Sequence, residues 1–342
     1  MSHSHDAGRG RDAARPRIAL DAMGADFEPG LAVEAAAAAL RADDGLEIRI
    51  VGDPGALDPV LARLPAPTAA RLKRIAAPEF VAMSVSPAEA LRRGQRSSMA
   101  IVLEQLGAGS VDAVVSSGNT GALMALARAR LGTLPGIERP ALMTAFPVTG
   151  GNAWVLDLGA NISVDAERLT EFARLGSIAV GALLGRRPRI GLLNIGSEPN
   201  KGPDVVREAA RRCARLDIDL VGFVEGHDVF AGKADLVVCD GFAGNILLKS
   251  AEGAIGMLLA EVDVAASGTF AGPGLRRLRR TLRRRYDPAG HNGASMLGVN
   301  GIVVKSHAHA SVDGLAQAIA VAALEVRRSM LPELARELWE GV

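Results

Sequence analysis

The stretch LVVCDGFAGNILLKS, Leu236 to Ser250, decides the fold that the sequence predicts. An apolar run of strand character ends at Asp240. A small-residue turn closed by Gly244 and Asn245 follows, and a helix is predicted from about Ile246. The start of a helix presents backbone N–H groups and the positive end of the helix dipole, which suits an anion. An ordinary strand-to-helix connection with glycines for turn geometry is the alternative.

The same pattern recurs along the chain. Four other polar, glycine-bearing loops follow apolar strands: DAMGAD (21–26), SSGNTG (116–121), DLGAN (157–161) and NIGSEPNKG (194–202). Strands that alternate with helices across short connections predict a doubly wound α/β/α sheet of Rossmann-like type, mostly parallel. Ligands of such sheets collect beyond the carboxyl ends of the strands, so the repetition favours a ligand site over simple turns.

One pair of strands departs from the parallel pattern. Strands predicted at Ala141–Phe146 and Ala153–Leu156 are separated by TGGN (149–152), which is typical of a hairpin. An antiparallel pair is therefore expected inside the sheet. Near the carboxyl end, a single long helix is predicted over Val312–Met330.

After Glu261 the alternation stops, and an irregular basic segment is expected over about 262–290. Within it, residues 275–285 hold seven arginines around Leu275, Leu278 and Leu282, whose spacing gives one apolar helical face. A solvated basic helix, a surface for anionic lipid and a surface for an acidic carrier protein all remain open.

Composition limits the class of protein. A length of 342 residues fits a leader without ordered structure over 1–15 and a single α/β domain over 16–342, built as one unit or as two intimately joined subdomains. The net charge of +1 gives no general attraction to nucleic acid. Two cysteines without metal-ligand spacing, and no apolar run of about 18 residues, predict a cytoplasmic protein that is at most peripheral to a membrane.

Several cofactor and catalytic signatures are missing from the sequence. It has no G-x-G-x-x-G fingerprint, no P-loop, no G-x-S-x-G elbow and no H-E-x-x-H. Nicotinamide binding, ATP hydrolysis, a covalent serine and a zinc hydrolase thus have no local support. No cofactor and no metal are expected.

Several longer segments carry a specific resemblance: DAMGAD, SPAEALRRGQRSSM, SSGNTGALMA, RPAL, NIGSEPNKG, GFVEGHDVFAGKADLVVCDGFAGNILLKSAEG and GASMLGVNGIVVKSH. With these, the chain closely resembles the acyl-acyl carrier protein:phosphate acyltransferase (PlsX) family. It departs from the usual family pattern at Ala25, Phe27, residues 197–200 and residues 161–163.

The resemblance implies metal-independent transfer of a long acyl chain from acyl carrier protein to inorganic phosphate, giving acyl phosphate for phospholipid synthesis. It also implies a fold related to phosphotransacetylases and isopropylmalate dehydrogenases. The expected partners are acyl carrier protein, phosphate, a second copy of the chain, an anionic membrane and a downstream glycerol-3-phosphate acyltransferase.

Such a reaction depends on positioning and charge stabilisation, because phosphate is already a nucleophile and a thiolate leaves readily. Lys201 is predicted to hold phosphate or the developing oxyanion. Asn245 is predicted to donate a hydrogen bond to the thioester oxygen or phosphate, and it could also cap its helix. An apolar groove for the acyl chain is expected near Ile255–Leu259 and in the irregular stretch after Glu261.

The other predicted substrate-binding residues lie in loops and helix starts: Ser117, Asn119, Thr120, Arg96, Ser98, Asp21, Asp240, Gly244 and His307. Asp21 and Asp240 are expected to end strands at one sheet edge, where they would orient Lys201 or cap helices. His307 is either a catalytic acid or a structural histidine.

Three alternative functions remain open from the sequence. The first is an acetyl-coenzyme A phosphotransacetylase, which shares the reaction but uses a short acyl group. The second is a non-catalytic scaffold for lipid-synthesis enzymes at the membrane. The third, a decarboxylating dehydrogenase, rests on analogy of fold alone.

Overall fold

The computed structural model describes residues 15–267, 272–286 and 291–339. The predicted leader lies outside these residues except for Arg15. One sheet holds the strands of the described chain. They are β1 (Arg17–Asp21), β2 (Glu47–Gly52), β3 (Leu72–Ala76), β4 (Ala113–Ser116), β5 (Ala141–Val148), β6 (Gly151–Leu156), β7 (Arg189–Leu193), β8 (Asp219–Val224), β9 (Leu236–Val238), β10 (Ala294–Leu297) and β11 (Ile302–Lys305).

Helices cover both faces of this sheet. They are α1 (Pro29–Ala42), α2 (Pro54–Leu61), α3 (Ala66–Ala69), α4 (Pro87–Arg93), α5 (Ser98–Gly107), α6 (Thr120–Leu131), α7 (Ala166–Leu184), α8 (Asp204–Cys213), α9 (Gly226–Ala231), α10 (Gly241–Ser267), α11 (Pro273–Tyr286), α12 (Val312–Arg327) and α13 (Met330–Trp339). None of those described is long and apolar enough to cross a membrane.

Side chains that alternate between the two faces of each strand pack against helices on both faces of the sheet, which gives three layers. Along β1, Ala19 packs into a core with α5 and α6, whereas Ile18 and Leu20 pack into a core with α1 and α12 on the opposite face. Successive side chains of a strand point to opposite faces, so a strand that is apolar throughout needs helices on both. The predicted α/β/α architecture is confirmed.

The sheet consists of two halves that run in opposite directions. Its strand order is β3-β2-β1-β4-β11-β10-β5-β6-β9-β7-β8. Strands β3, β2, β1, β4 and β11 are parallel, and so are β6, β9, β7 and β8. The predicted hairpin is confirmed as the antiparallel pair β5–β6, and β10 is antiparallel to both of its neighbours.

This reversal corrects one prediction. Because β1 and β9 run in opposite directions, their carboxyl ends point to opposite edges of the sheet. Asp21 and Asp240 therefore do not end parallel strands at a common outer edge. The register of the central strands instead brings the carboxyl ends of the two halves to one level of the sheet, where the halves meet.

Helix boundaries also differ from the predictions. The helix expected from Ile246 begins at Gly241, so Gly244 and Asn245 lie inside its first turns and do not close a turn before it. The same helix continues to Ser267, through the start of the stretch that was predicted to be irregular. The helix predicted over Val312–Met330 ends at Arg327 as α12, and a further helix that was not predicted, α13, follows Ser329, which has a φ of 52°.

A buried carboxyl group predicts an unusual pH dependence of stability. Glu325 on α12 is 1% exposed, accepts a hydrogen bond from the Ser295 hydroxyl, and has its pKa raised by burial from 4.5 to about 8. Between these two pKa values the folded chain holds a proton that the unfolded chain releases, so the free energy of unfolding falls as pH rises.

We expect Glu325→Gln to flatten this slope and to raise the free energy of unfolding at pH 8 by about 2 kcal/mol. Urea denaturation at pH 5 and pH 8 measures both effects. Glu34→Gln, at an exposed position on α1, is the matched control and should leave the slope unchanged. A wild-type slope that survives in Glu325→Gln would contradict the assignment.

Candidate functional site

A cavity of about 350 Å³ lies where the two halves of the sheet meet. The first half contributes Thr120 from α6 and Lys305 from the end of β11. The second half contributes Gly159 from the loop after β6 and Asn245 from α10. Charged groups and apolar side chains share its lining, so it can hold a ligand that has an anionic part and a hydrocarbon part.

The start of α6 forms one part of the lining. Asn119 caps this helix, because its Oδ1 accepts a hydrogen bond from the Ala122 amide at 2.9 Å and its Nδ2 donates to the carbonyl oxygens of Met83 and Val85. All polar atoms of the Asn119 side chain are thus used within the chain. Thr120, the first helical residue, reaches the cavity, where the positive end of the helix dipole favours an anion.

Two lysines that the sequence analysis did not predict, Lys305 and Lys249, line the cavity, and Lys305 is the more buried of the two. Its Nζ donates to the carbonyl oxygens of Ser117, at 3.3 Å, and Ser306. Burial lowers the pKa of Lys305 to about 8; the charge of Lys249 acts in the same direction, and the charge of Asp21 opposes both. A lysine at the end of an apolar strand, in register with Ser116 on β4, is the signal that could have identified it.

Asp21 lies behind Lys305 at the end of β1. It is 1% exposed, and it accepts hydrogen bonds from the Ser116 hydroxyl at 2.7 Å and the Met23 amide at 3.1 Å. Burial raises the pKa of Asp21, while the hydroxyls of Ser98 and Ser116 and the charge of Lys305 oppose that rise. The predicted residues Asp21 and Ser98 therefore lie close together, and both are buried.

Ser117, whose carbonyl oxygen accepts the hydrogen bond from Lys305, also has a side chain that bears on the site. The Ser117 hydroxyl is fully buried and has no hydrogen-bond partner among the described residues. A buried hydroxyl without a partner costs free energy unless a ligand or water satisfies it. Ser117 is thus consistent with a binding role.

The start of α10 faces the cavity from the other half. Asp240 caps this helix, since its Oδ1 accepts a hydrogen bond from the Ala243 amide at 2.7 Å. The Gly241 and Gly244 amides also donate within the chain, to carbonyl oxygens of Asn161 and Asp240. These amides are not available to an anion, so the anion site expected at this junction is not formed by them.

Asn245 does not cap α10, but it does line the cavity. Its side-chain amide lies against Gly159: a Cβ added to that glycine would be 3.8 Å from the Asn245 Cγ. Closer to the helix start, a Cβ on Gly244 would lie 1.9 Å from the Asp157 carbonyl oxygen. Glycine at both positions lets α10 approach the loop after β6 and brings Asn245 to the cavity.

Asp157 fixes the shape of that loop. Its carboxylate is fully buried and accepts hydrogen bonds from the amides of Leu142, Leu158, Ala160 and Asn161, and from the Asn161 side chain. Burial raises the pKa of Asp157, and these hydrogen bonds oppose the rise. The Asp157 carboxylate thus connects β5 to the loop after β6, and α10 packs against this loop.

His307 sits at the exposed side of the cavity. Its Nε2 lies 3.3 Å from the Glu252 carboxylate and 3.5 Å from the Lys249 Nζ, both on α10. The hydrogen bond to His307 is the main cause that lowers the pKa of Glu252. These contacts join the two halves of the sheet across the cavity.

Of the eleven predicted site residues, three line the cavity, namely Thr120, Asn245 and His307, and the other eight lie outside its lining. Lys201 is exposed in the loop between β7 and α8, where its backbone carbonyl accepts a hydrogen bond from Asn194. Arg96 is 82% exposed and pairs with Glu79 at 3.5 Å. The cavity therefore brings together Thr120, Asn245 and His307, with Asp21, Ser98 and Ser117 near Lys305, but neither Lys201 nor Arg96.

Comparison with known proteins places this chain in a family. Residues 16–331 match the family model described as "Fatty acid synthesis protein". The chain is 48% identical over 328 residues to the phosphate acyltransferase of Stutzerimonas stutzeri (strain A1501), covering 93% of this chain and 91% of that protein. It is 47% identical over 323 residues to the phosphate acyltransferase of Pseudomonas putida (strain F1), covering 92% and 95%.

Solved structures share the fold at low identity. The EutD phosphotransacetylase from Staphylococcus aureus superposes with a TM-score of 0.63 at 16% identity, covering 92% of this chain and 95% of that one. The 4-hydroxythreonine-4-phosphate dehydrogenase from Klebsiella pneumoniae gives 0.55 at 14% identity, covering 91% and 99%. The predicted relation to phosphotransacetylase-like and dehydrogenase-like folds is confirmed. With nearly half of its residues shared with named relatives over more than nine-tenths of its length, the chain belongs to the fatty acid synthesis protein family of PlsX phosphate acyltransferases and is an acyltransferase.

Proposed function

We propose that this chain transfers a fatty acyl group from acyl carrier protein to inorganic phosphate, giving acyl phosphate for phospholipid synthesis. The observation that carries the proposal is the cavity between the two halves of the sheet. A partly buried ammonium group and a helix start suit phosphate, and apolar side chains of the same lining suit an acyl chain.

In the proposed reaction a phosphate oxygen attacks the thioester carbonyl carbon. The new C–O bond forms, the C–S bond breaks, and the sulfur leaves with its electron pair. The proton of hydrogen phosphate balances the charge of the leaving thiolate. Positioning and electrostatic stabilisation by the enzyme supply most of the rate in such a step, and in this proposal Asn245 donates a hydrogen bond to the thioester oxygen. Lys201 remains a predicted catalytic residue.

Apolar residues of the lining would receive the acyl chain. Phe146 from β5, Phe230 from α9, and Leu248 and Ile255 from α10 line the cavity. Burial of hydrocarbon is favourable by about 25 cal/mol per Å² of area removed from water, so a long chain gains more than an acetyl group. This lining favours a fatty acyl substrate over the short acyl group of a phosphotransacetylase.

The basic helix α11 supports a carrier protein as the donor of the acyl group. None of its residues is buried, and its last residue, Tyr286, lines the cavity. An acidic protein would bind its exposed arginines by charge complementarity. Asp263 on α10 pairs with Arg279 and Arg283, which fixes α11 against α10. A carrier protein bound to α11 would hold its thioester near the cavity.

We also propose that two copies associate through α10, and that the protein contacts the membrane peripherally near a glycerol-3-phosphate acyltransferase. The support for a dimer is the exposure of large apolar residues along α10, with Met257 69% and Val264 73% exposed. Exposed apolar area of this kind marks interaction surfaces.

Phosphate-dependent release of thiol tests the proposed function. Palmitoyl-acyl carrier protein, palmitoyl-coenzyme A and acetyl-coenzyme A would be compared with and without inorganic phosphate. Rapid phosphate-dependent turnover of the first substrate is expected. Preference for acetyl-coenzyme A would indicate a phosphotransacetylase, and no turnover of any thioester would indicate a scaffold.

A charge in the apolar lining should change the chain-length preference. We expect Ile255→Asp to lower kcat/KM for the palmitoyl substrate about 100-fold and that for a butyryl substrate less than fivefold, because only the long chain reaches the desolvated carboxylate. Leu324→Asp, at an exposed position on α12, is the control and should leave both values unchanged. Equal losses for both substrates would contradict an acyl site along α10.

A further inference from the structure

We infer that Lys305 is a catalytic residue whose ammonium group holds the phosphate nucleophile, and that Asp21 is the positioning residue that keeps this group in place. The inference rests on the proposed function, which it deepens by assigning the phosphate subsite to the end of β11 and the start of α6.

The sheet itself brings these residues together. Strands β1, β4 and β11 are neighbours, and Asp21, Ser116 and Lys305 occupy the same register position at their carboxyl ends. Rigid strands hold such a group more precisely than a surface loop can. Lys201, in contrast, lies on the exposed loop between β7 and α8.

The polar groups around Lys305 form an anion subsite. Its Nζ bonds to the Ser117 carbonyl oxygen, one residue before the turn that leads into α6. Thr120 opens that helix and shares the cavity lining with Lys305, and the buried Ser117 hydroxyl has no hydrogen-bond partner in the described part of the chain. An ammonium group, a helix start and a free hydroxyl provide the charge and hydrogen bonding that a phosphate dianion requires.

The charges that face Lys305 explain why Asp21 is needed. Asp21 on β1 favours the ammonium form, whereas burial and Lys249 on α10 favour the neutral amine, so the pKa of Lys305 falls to about 8. Glu252 on α10 and His307 after β11 also line the cavity, but they interact with each other and with Lys249. Without Asp21 the neutral form of Lys305 would gain, and phosphate would lose its cation.

Steady-state kinetics of the full chain separate this role from a structural one. We expect Lys305→Met to raise the KM for phosphate at least 100-fold while the KM for palmitoyl-acyl carrier protein changes less than threefold. In the wild type, kcat/KM for phosphate should fall as the pH rises, with a midpoint near pH 8. Lys305→Arg should move this alkaline limb above pH 10, because a guanidinium stays charged. Asp21→Asn should move it to lower pH.

Lys73→Met, at an exposed lysine on β3, is the matched control and should leave all of these values unchanged. Phosphate binding by wild type and Lys305→Met, followed by ³¹P NMR, gives a readout that needs no acyl transfer. Absence of turnover in the wild type would therefore overturn the proposed function without deciding the phosphate subsite. An unchanged alkaline limb in Lys305→Arg, or unchanged phosphate binding in Lys305→Met, would overturn the inference. A rise in the KM for phosphate in Lys201→Met but not in Lys305→Met would also overturn it.

Discussion

Gly244→Ala is expected to destroy the cavity and to lower the free energy of unfolding by at least about 3 kcal/mol. A Cβ at this position would lie 1.9 Å from the Asp157 carbonyl oxygen and 2.9 Å from the Cys239 sulfur. Neither atom can move easily, because both belong to the buried junction of β6, β9 and α10. The helix would have to shift away from the loop after β6, and Asn245 would move with it.

A second glycine of α10 provides the control for the glycine-to-alanine change. Gly253→Ala also replaces a glycine of α10, but its Cβ would meet no atom within 4 Å. It should stabilise the chain by about 0.5–1 kcal/mol, since alanine favours helix more than glycine does. Thermal unfolding and phosphate-dependent thiol release of both variants measure the contrast. If Gly244→Ala behaves like Gly253→Ala, the close approach of α10 to the loop is wrong.

Asp157→Ala is the second change with a large expected effect. It removes the acceptor of amide hydrogen bonds from Leu142 at 2.8 Å, Leu158 at 2.7 Å and Asn161 at 2.6 Å. A buried donor left without a partner costs about 1–3 kcal/mol. We therefore expect a loss of at least about 4 kcal/mol in the free energy of unfolding, together with loss of acyl transfer.

Asp165→Ala is the matched control for that experiment. Asp165 also accepts a backbone hydrogen bond, from the Arg168 amide at 2.8 Å, but at the exposed start of α7. Its removal should cost only about 1 kcal/mol, as for other helix caps. Urea denaturation of the two variants gives the comparison. A similar, small loss for both would show that the hydrogen bonds of Asp157 do not hold the loop.

Local patterns in the sequence predicted much of the fold. The hairpin of β5 and β6 follows from the turn residues between its strands, and the helix of α11 follows from the spacing of its leucines. The reversal between the two halves of the sheet was not predictable in this way, since strand direction depends on which distant strands become neighbours. The start of α10 was misplaced because Gly244 and Asn245 usually mark turns, whereas here the glycine allows a close backbone approach.

The candidate site was only partly predictable for the same reason. Thr120 and Asn245 follow glycine-bearing loops and do reach the cavity. Lys305 has no such loop before it, and its importance depends on Asp21, which is 284 positions away along the chain and becomes a neighbour only through β4. Burial and partners of this kind are properties of the folded chain, so the pKa of Lys305 could not be inferred from its sequence context.

The position of β11 has a consequence for the synthesis of the protein. The chain completes β1 to β4, leaves to build the second half of the sheet, and returns with β10 and β11 only after residue 291. A growing chain therefore exposes the free edge of β4, a strand edge that can pair with other chains. Insertion of β11 closes this edge and delivers Lys305 in the same step. The chain thus places Lys305 at the cavity only when the free edge of β4 has been covered.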